Sequence, residues 1–189
     1  MSILPLRKET GFGLTRIGVT ELLRSPLECC SVSSAKWPAL YCEVMNVIMP
    51  ETWPQTPAAA IALQQELRSQ VVCHDDLSPT VQFVAGVDVG FEAGGTITRA
   101  AVVVLEFPSL QLVDYALKKQ PTTFPYIPGL LSFREIPAVL TALAALTITP
   151  DLILCDGQGL AHPRRLGIAC HLGLLVNCPT IGVAKSRLI

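Results

Sequence analysis

Three strand-like stretches, Gln82 to Val89, Arg99 to Phe107 and Gln111 to Lys118, are joined by very short links. The first link, Gly90 to Thr98, contains Gly94-Gly95, and the second is only Pro108 to Leu110. A parallel crossover needs about a dozen residues or more, usually with a helix, so these links favour an antiparallel meander. The period then changes. Apolar residues recur at helical spacing from about Phe133 to Leu146, and Leu152 to Cys155 reads as a buried strand. A second helix opens at Pro163 and runs toward Val176, and Thr180 to Val183 is a last strand. Ahead of the meander, Thr56 is a good N-cap, Pro57 suits the first helical position, and Leu63, Leu67 and Val71 recur at helical spacing. The expectation is an α/β domain whose mixed sheet combines a three-strand meander with alternating helices and strands.

Composition narrows the classes. With 189 residues, half of them hydrophobic and 15% charged, the chain suits one globular domain with a sizeable core. A net charge of -1 gives no global attraction to nucleic acid, so any such binding must come from a local patch. The seven cysteines, at 29, 30, 42, 73, 155, 170 and 178, are odd in number and form neither a C-x-x-C pair nor a zinc quartet. Cys155 and Cys170 lie in apolar patterns that suit buried thiols, and a reducing, cytoplasmic compartment is expected. No apolar run approaches the ~18 residues of a membrane span. No apolar stretch follows Arg7, Lys8 and Glu9, so no secretory signal is expected either. Residues 1–50 mix Ser, Cys, Pro and scattered charge without periodicity, and read as a poorly ordered segment preceding a domain at 51–189. Met45 and Met49 are candidate alternative starts.

Three acids stand out because a carboxylate at the edge of a buried strand is costly unless a cation meets it. Asp88 interrupts Val84-Ala85-Gly86-Val87-Asp88-Val89-Gly90, and Asp156 ends Leu152-Ile153-Leu154-Cys155. Glu135 lies in Ser132-Phe133-Arg134-Glu135. Each has a plainer reading. Asp88 suits a turn N–H or an arginine, Asp156-Gly157 a simple turn, and Ser132-x-x-Glu135 a capping box. Pro137 would then obstruct that helix at a cost of roughly 3 kcal/mol. Together the acids suggest a shared divalent-metal site for phosphodiester hydrolysis, in which two ions about 4 Å apart stabilise attacking and leaving oxygens. Carboxylates are the hard oxygen ligands that Mg²⁺ prefers.

Other motifs suggest a phosphate-rich partner. In His162-Pro163-Arg164-Arg165, cations in a first helical turn oppose the helix dipole unless a phosphate binds there; the alternative is two solvated arginines. Lys185, beyond the last strand, suits the scissile phosphate or is an ordinary lysine. Pro125-Tyr126-Ile127-Pro128-Gly129 is a stiff loop presenting an aromatic ring, either as a wedge into a base stack or packed onto its own domain.

These motifs, with Gly86-Val87-Asp88-Val89-Gly90-Phe91, Leu131-Ser132-Phe133-Arg134-Glu135, Asp156-Gly157-Gln158-Gly159, His162-Pro163-Arg164-Arg165-Leu166-Gly167 and Ile181-Gly182-Val183-Ala184-Lys185, occur in one order. From about Phe83 to Leu188 the chain resembles endonuclease V, the deoxyinosine-directed repair nuclease. The resemblance implies a ribonuclease H-like fold, with Asp88 and Asp156 binding Mg²⁺, or Mn²⁺ in its place, and Glu135 completing the acidic centre. It makes Pro125 to Pro128 a strand-separating wedge tipped by Tyr126, with the lesion base in a pocket behind it. His162 and Lys185 match positions near metal and phosphate, and Arg164 and Arg165 are expected on the nucleic acid. The activity implied is a nick at the second phosphodiester bond 3′ to deoxyinosine or another deaminated base in DNA, and possible substrates include inosine-containing RNA. No membrane and no obligate protein partner are expected. Gln158 stands where the family usually has His. Family members also continue past the final strand into a region that covers the site and supplies another histidine, so the chain reads as shortened at its C-terminus. Two other readings compete: a shortened, non-catalytic nucleic-acid-binding fragment, and an actin-like or sugar-kinase phosphate loop at Asp88-Val89-Gly90 with Gly94-Gly95-Thr96 and Arg99.

Overall fold

The structure is a computed structural model that describes residues 45, 47, 48, 50, 52–74, 77, 80–186 and 188, all within the compact unit Pro38–Ile189. The meander forms with longer arms than alternation alone foretells. Strands β1 (Phe83–Glu92), β2 (Ile97–Glu106) and β3 (Leu112–Pro121) pair antiparallel, and the ladders run out to Glu92↔Ile97 and Ile97↔Pro121. The reversal between β1 and β2 fits into one 3-10 turn, Ala93–Gly95, because Gly94 takes φ +66°. Glu92 accepts from Arg99 at 3.0 Å and from Lys119 at 2.9 Å, tying together the far ends of all three strands. Pairs as exposed to solvent as these are screened, so they fix register more than they stabilise.

Strands β4 (Leu152–Asp156) and β5 (Thr180–Val183) add in parallel, giving the order β3-β2-β1-β4-β5. Alternate residues of the central strands (Phe83, Ala85 and Val87 of β1, Ala100, Val102 and Val104 of β2) are buried, as period-2 geometry requires. Helix α2 (Leu131–Leu143) packs on β1, β2 and β3, while α3 (Ile168–Val176) packs mainly on β5 and α2. Ile136, Val139, Leu140, Leu143 and Leu172 enter the same core, each contributing about 1.5–3 kcal/mol by burial.

Two helices differ from expectation. Helix α3 begins at Ile168 rather than Pro163: Arg165 takes φ +61°, which ends any helical run, and Gly167 is the N-cap. Helix α1 (Pro57–Leu67) starts as expected, with Thr56 Oγ1 accepting from Ala59 N–H at 3.2 Å. Its buried face, however, is Ala60 and Gln64 rather than the line of Leu63, Leu67 and Val71, and Val71 lies beyond the helix. Most of the 1–50 segment, including Met49, Cys29, Cys30 and Cys42, lies outside the described residues. Met45 is buried in the core, and Ile48 N–H donates to Leu175 O at 3.0 Å.

Helix α2 keeps Pro137 in its interior. Proline there removes the N–H that would serve the carbonyl four residues back, and its ring crowds that carbonyl. The carbonyl is that of Phe133, and it accepts the indole Nε1–H of Trp53 at 2.7 Å. Trp53 is held for the purpose, stacked on His171 (centroids 5.7 Å apart) and tilted against Phe133 (5.6 Å). Replacing Trp53 by Phe keeps a ring in place but removes the donor. The expected loss in urea unfolding is about 1–3 kcal/mol. In a Pro137→Ala background, where residue 137 regains its N–H, the loss should fall below about 1 kcal/mol. Equal losses in both backgrounds would show that the indole only packs.

Candidate active site

The parallel register sets the first two acids. The β1–β4 ladder ends at Val87↔Cys155, so the next positions, Asp88 and Asp156, are neighbours on strands about 5 Å apart. Helix α2 brings Glu135 to the same place, just past its first turn. All three carboxylates line one cavity of about 150 Å³ whose other walls include Val87, Val139 and Leu172. Asp88 Oδ1 accepts its own strand's Val89 N–H at 2.9 Å. No ion pair reaches any of the three, since both salt bridges among the described residues belong to Glu92. The capping alternative for Glu135 fails, because the N-cap is Leu130 and Ser132 is already inside the helix, bonded to His171 Nδ1 at 3.1 Å.

Glu135 is 7% exposed, and its carboxyl is pushed up to about 8. Burial is the main cause, and the charges of Asp156 and Asp88 add to it, against a smaller opposing pull from Arg134. Arg134 itself turns away, donating to Gly95 O at 3.2 Å and lying 4.3 Å from the Phe91 ring centroid. Among the described residues, no three His, Cys, Asp or Glu side chains converge as a closed ligand group. The donor chemistry nevertheless suits a hard divalent cation: two carboxylates and a protonated third around one cavity, with no cation of the protein's own.

A second cavity of about 170 Å³ adjoins the first, and Leu131, Gly157 and Ile168 line both. Tyr126, Ile127, Pro128 and Gly129 line it, together with Gln158 and His162. Tyr126 is 69% exposed, so it is not packed onto its own domain. Gly129 takes φ +80°, a backbone that favours glycine, and an added Cβ there would push on Arg164 Nη2 at 2.8 Å. The basic cluster is divided. Arg164 donates to Gly129 O at 2.7 Å and to Gln64 Oε1 at 2.6 Å, and His162 Nε2 lies 3.0 Å from Gly129 O. Arg165 and Lys185 are exposed. Because α3 begins at Ile168, neither arginine stands in its first turn, and the helix-dipole argument does not apply to them. Gln158 Nε2 donates to Ser186 O at 3.0 Å, while its buried Oε1 has no partner among the described residues. Gln64, 1% exposed, escaped the sequence reading; its one signal was a position one turn beyond Ala60.

Comparison with known proteins identifies what this architecture resembles. Residues 65–189 match the family model described as Endonuclease V. The chain is 63% identical over 145 residues to endonuclease V of Nostoc punctiforme, covering 77% of this chain and 66% of that protein. It is 61% identical over 137 residues to the Azotobacter vinelandii protein, covering 72% and 62%. The crystal structure of Streptomyces avermitilis endonuclease V superposes with TM-score 0.69 at 48% identity, over 75% of this chain and 62% of that one. Ciona intestinalis endonuclease V, solved with a 24mer DNA containing an inosine followed by a ribo-adenosine, gives TM-score 0.64 at 36% identity, over 70% and 58%. The chain thus spans a little less than two thirds of the length of these relatives. The five-strand mixed sheet is the ribonuclease H-like fold that such structures carry.

The electrostatics of Glu135 lead to a stability test. Its folded-state value of about 8 lies above the ordinary 4.5, so the folded chain holds a proton that the unfolded chain has released. Stability from this group is complete below about 4.5 and is lost as pH rises through about 8. Glu135→Gln should flatten the fall and raise the unfolding free energy of the metal-free chain, measured in urea, by roughly a few kcal/mol at alkaline pH. The variant and wild-type curves should converge in acid. Parallel curves for the two chains would show that Glu135 does not carry the proton.

Proposed function

This chain belongs to the endonuclease V family, and from that premise we propose that it is a metal-dependent DNA-repair endonuclease. Its proposed action is a nick at the second phosphodiester bond 3′ to deoxyinosine or another deaminated base. The observation that carries the reading is a pair of adjoining cavities, one walled by Asp88, Asp156 and Glu135 and the other by an exposed aromatic loop. Inosine-containing DNA, present with the Ciona relative, is the proposed substrate, and inosine-containing RNA is a second candidate.

The division of labour follows the chemistry of the residues. Asp88 and Asp156, adjacent across β1 and β4, would hold Mg²⁺, or Mn²⁺ in its place; both are hard, oxygen-seeking ions. When bound, the divalent cation stabilises charge on the attacking and leaving oxygens of the phosphodiester. Glu135, which holds a proton in the metal-free chain, would complete the ligand set as a carboxylate. Tyr126, presented between Pro125 and Pro128, enters the base stack beside the lesion, and the second cavity receives the displaced base. Lys185 and Arg165, both exposed, are cations available to the phosphate backbone. His162 and Arg164 support the wedge through Gly129 while keeping their place beside the nucleic acid. No helix among the described residues is long and apolar enough to cross a membrane. The proposed location is the cytoplasm, with no obligate protein partner.

The test is cleavage of an end-labelled duplex carrying one deoxyinosine, with Mg²⁺ and with EDTA, by this chain and by its Asp156→Ala variant. A metal-dependent nick one nucleotide beyond the lesion is expected. Loss of a metal ligand removes several kcal/mol of transition-state stabilisation, so the variant should be slower by more than about a hundredfold. A folded, metal-binding chain that makes no nick would overturn the catalytic reading and leave a domain that only binds.

A further inference from the structure

We infer that Gln64 is a positioning residue that braces the aromatic loop against helix α1, so that Tyr126 can separate paired strands. The inference rests on the proposed reading of that loop as a wedge.

Gln64 is a polar side chain buried where an unpaired amide is costly, and both of its N–H donors and its carbonyl oxygen are engaged. Its Nε2 donates to Gly129 O at 3.0 Å and to Leu166 O at 3.1 Å, while its Oε1 accepts Arg164 Nε at 2.6 Å. The reverse amide orientation would set the oxygen against two carbonyls and the amino group against a guanidinium, so the assignment is forced. The Gly129 carbonyl is the focus of the network. It accepts from Gln64 Nε2, from Arg164 Nη2 at 2.7 Å and from His162 Nε2 at 3.0 Å. The tautomer of His162 follows, because its Nδ1 accepts the Arg164 backbone N–H at 3.1 Å and the proton must therefore sit on Nε2.

Packing completes the brace. Phe124 and Leu130, on either side of the loop, are buried with Ala60 of α1 and Phe133 of α2. The base of the loop is therefore fixed on both flanks, whereas Tyr126 at its apex is largely exposed. A ring forced into a base stack experiences a reaction force, and a loose loop would fold back rather than transmit it. A loop ordered beforehand also avoids the entropy of immobilising it on the substrate. A bracing role predicts a loss confined to substrates whose strands must be parted. A merely structural role predicts equal loss on all substrates.

Two variants of the full chain test this. Gln64→Met preserves length and volume but removes all three bonds, and Gln64→Glu keeps the acceptor for Arg164 but loses the donors to Gly129 and Leu166. One substrate is a duplex with a single deoxyinosine, and the other is the same lesion strand alone. Small misplacements of positioned groups cost up to about a hundredfold in rate. Duplex cleavage should fall at least about tenfold further than single-strand cleavage in both variants. Hydrogen exchange of the free chain should accelerate across residues 123–131 while β1 and β4 stay protected. Equal losses on both substrates would overturn the inference, as would unchanged exchange in that segment. A wild-type chain that cuts neither substrate would instead overturn the nuclease reading, and the functional half of this inference with it.

Discussion

The parallel register between β1 and β4 is the constraint on which the site depends. With Val87 opposite Cys155, Asp88 and Asp156 stand side by side. A slip of one residue would turn every side chain of one strand to the other face and part the two acids. The register is secured by burial: Ala85, Val87, Ile153 and Cys155 are all inside, and a slip would bring Asp88 or Asp156 into their place. Asp151 reinforces it at the other end, where its Oδ2 accepts Gln82 and Phe83 N–H at 2.8 and 2.9 Å. The apolar residues that build the core thus also fix the spacing of the acids.

Burying a third carboxyl beside this pair is unfavourable, first through desolvation and then through the charges of Asp156 and Asp88, and the fold absorbs the cost by protonating Glu135 in the metal-free chain. The residue stays where it is because α2 is anchored by packing. Ile136, Val139 and Leu140 are wholly buried around it. Pro137 has its compensation too, since the crowded Phe133 carbonyl finds Trp53. Local strain and local repulsion are tolerated in the same helix because several buried side chains outweigh both.

Much of this was legible in the chain. Asp88 and Asp156 were conspicuous because charged residues in apolar strands need an explanation, and the short links after Val89 and Phe107 favoured the meander. What escaped has a common physical character: it depends on contacts remote in sequence. Pro137 read as an obstruction because its remedy, Trp53, lies 80 residues away. Gln64 went unremarked because its partners are 65 to 102 residues distant. The start of α3 was misplaced because Pro163 suits a first helical position, and nothing local reveals that Arg165 adopts a left-handed backbone. Periodicity reports which face of an element is buried, and it is silent on what covers that face.

The two cavities are held in fixed relation by element ends rather than by loops. Their shared wall is Leu131 at the start of α2, Gly157 just past β4 and Ile168 at the start of α3. Gly157 takes φ +141°, and a Cβ there would meet Ile168 Cγ2 at 2.5 Å, so the strand end and the helix start are in direct apposition. On the proposed reading, one cavity receives a base and the other acts on a phosphodiester, and selectivity requires the distance between them not to vary. A flexible partition would let an undamaged nucleotide present its phosphate to the acids without a base being captured. A partition built from the ends of a central strand and two packed helices moves only if the core moves, so base capture and phosphate placement are set by the same packing.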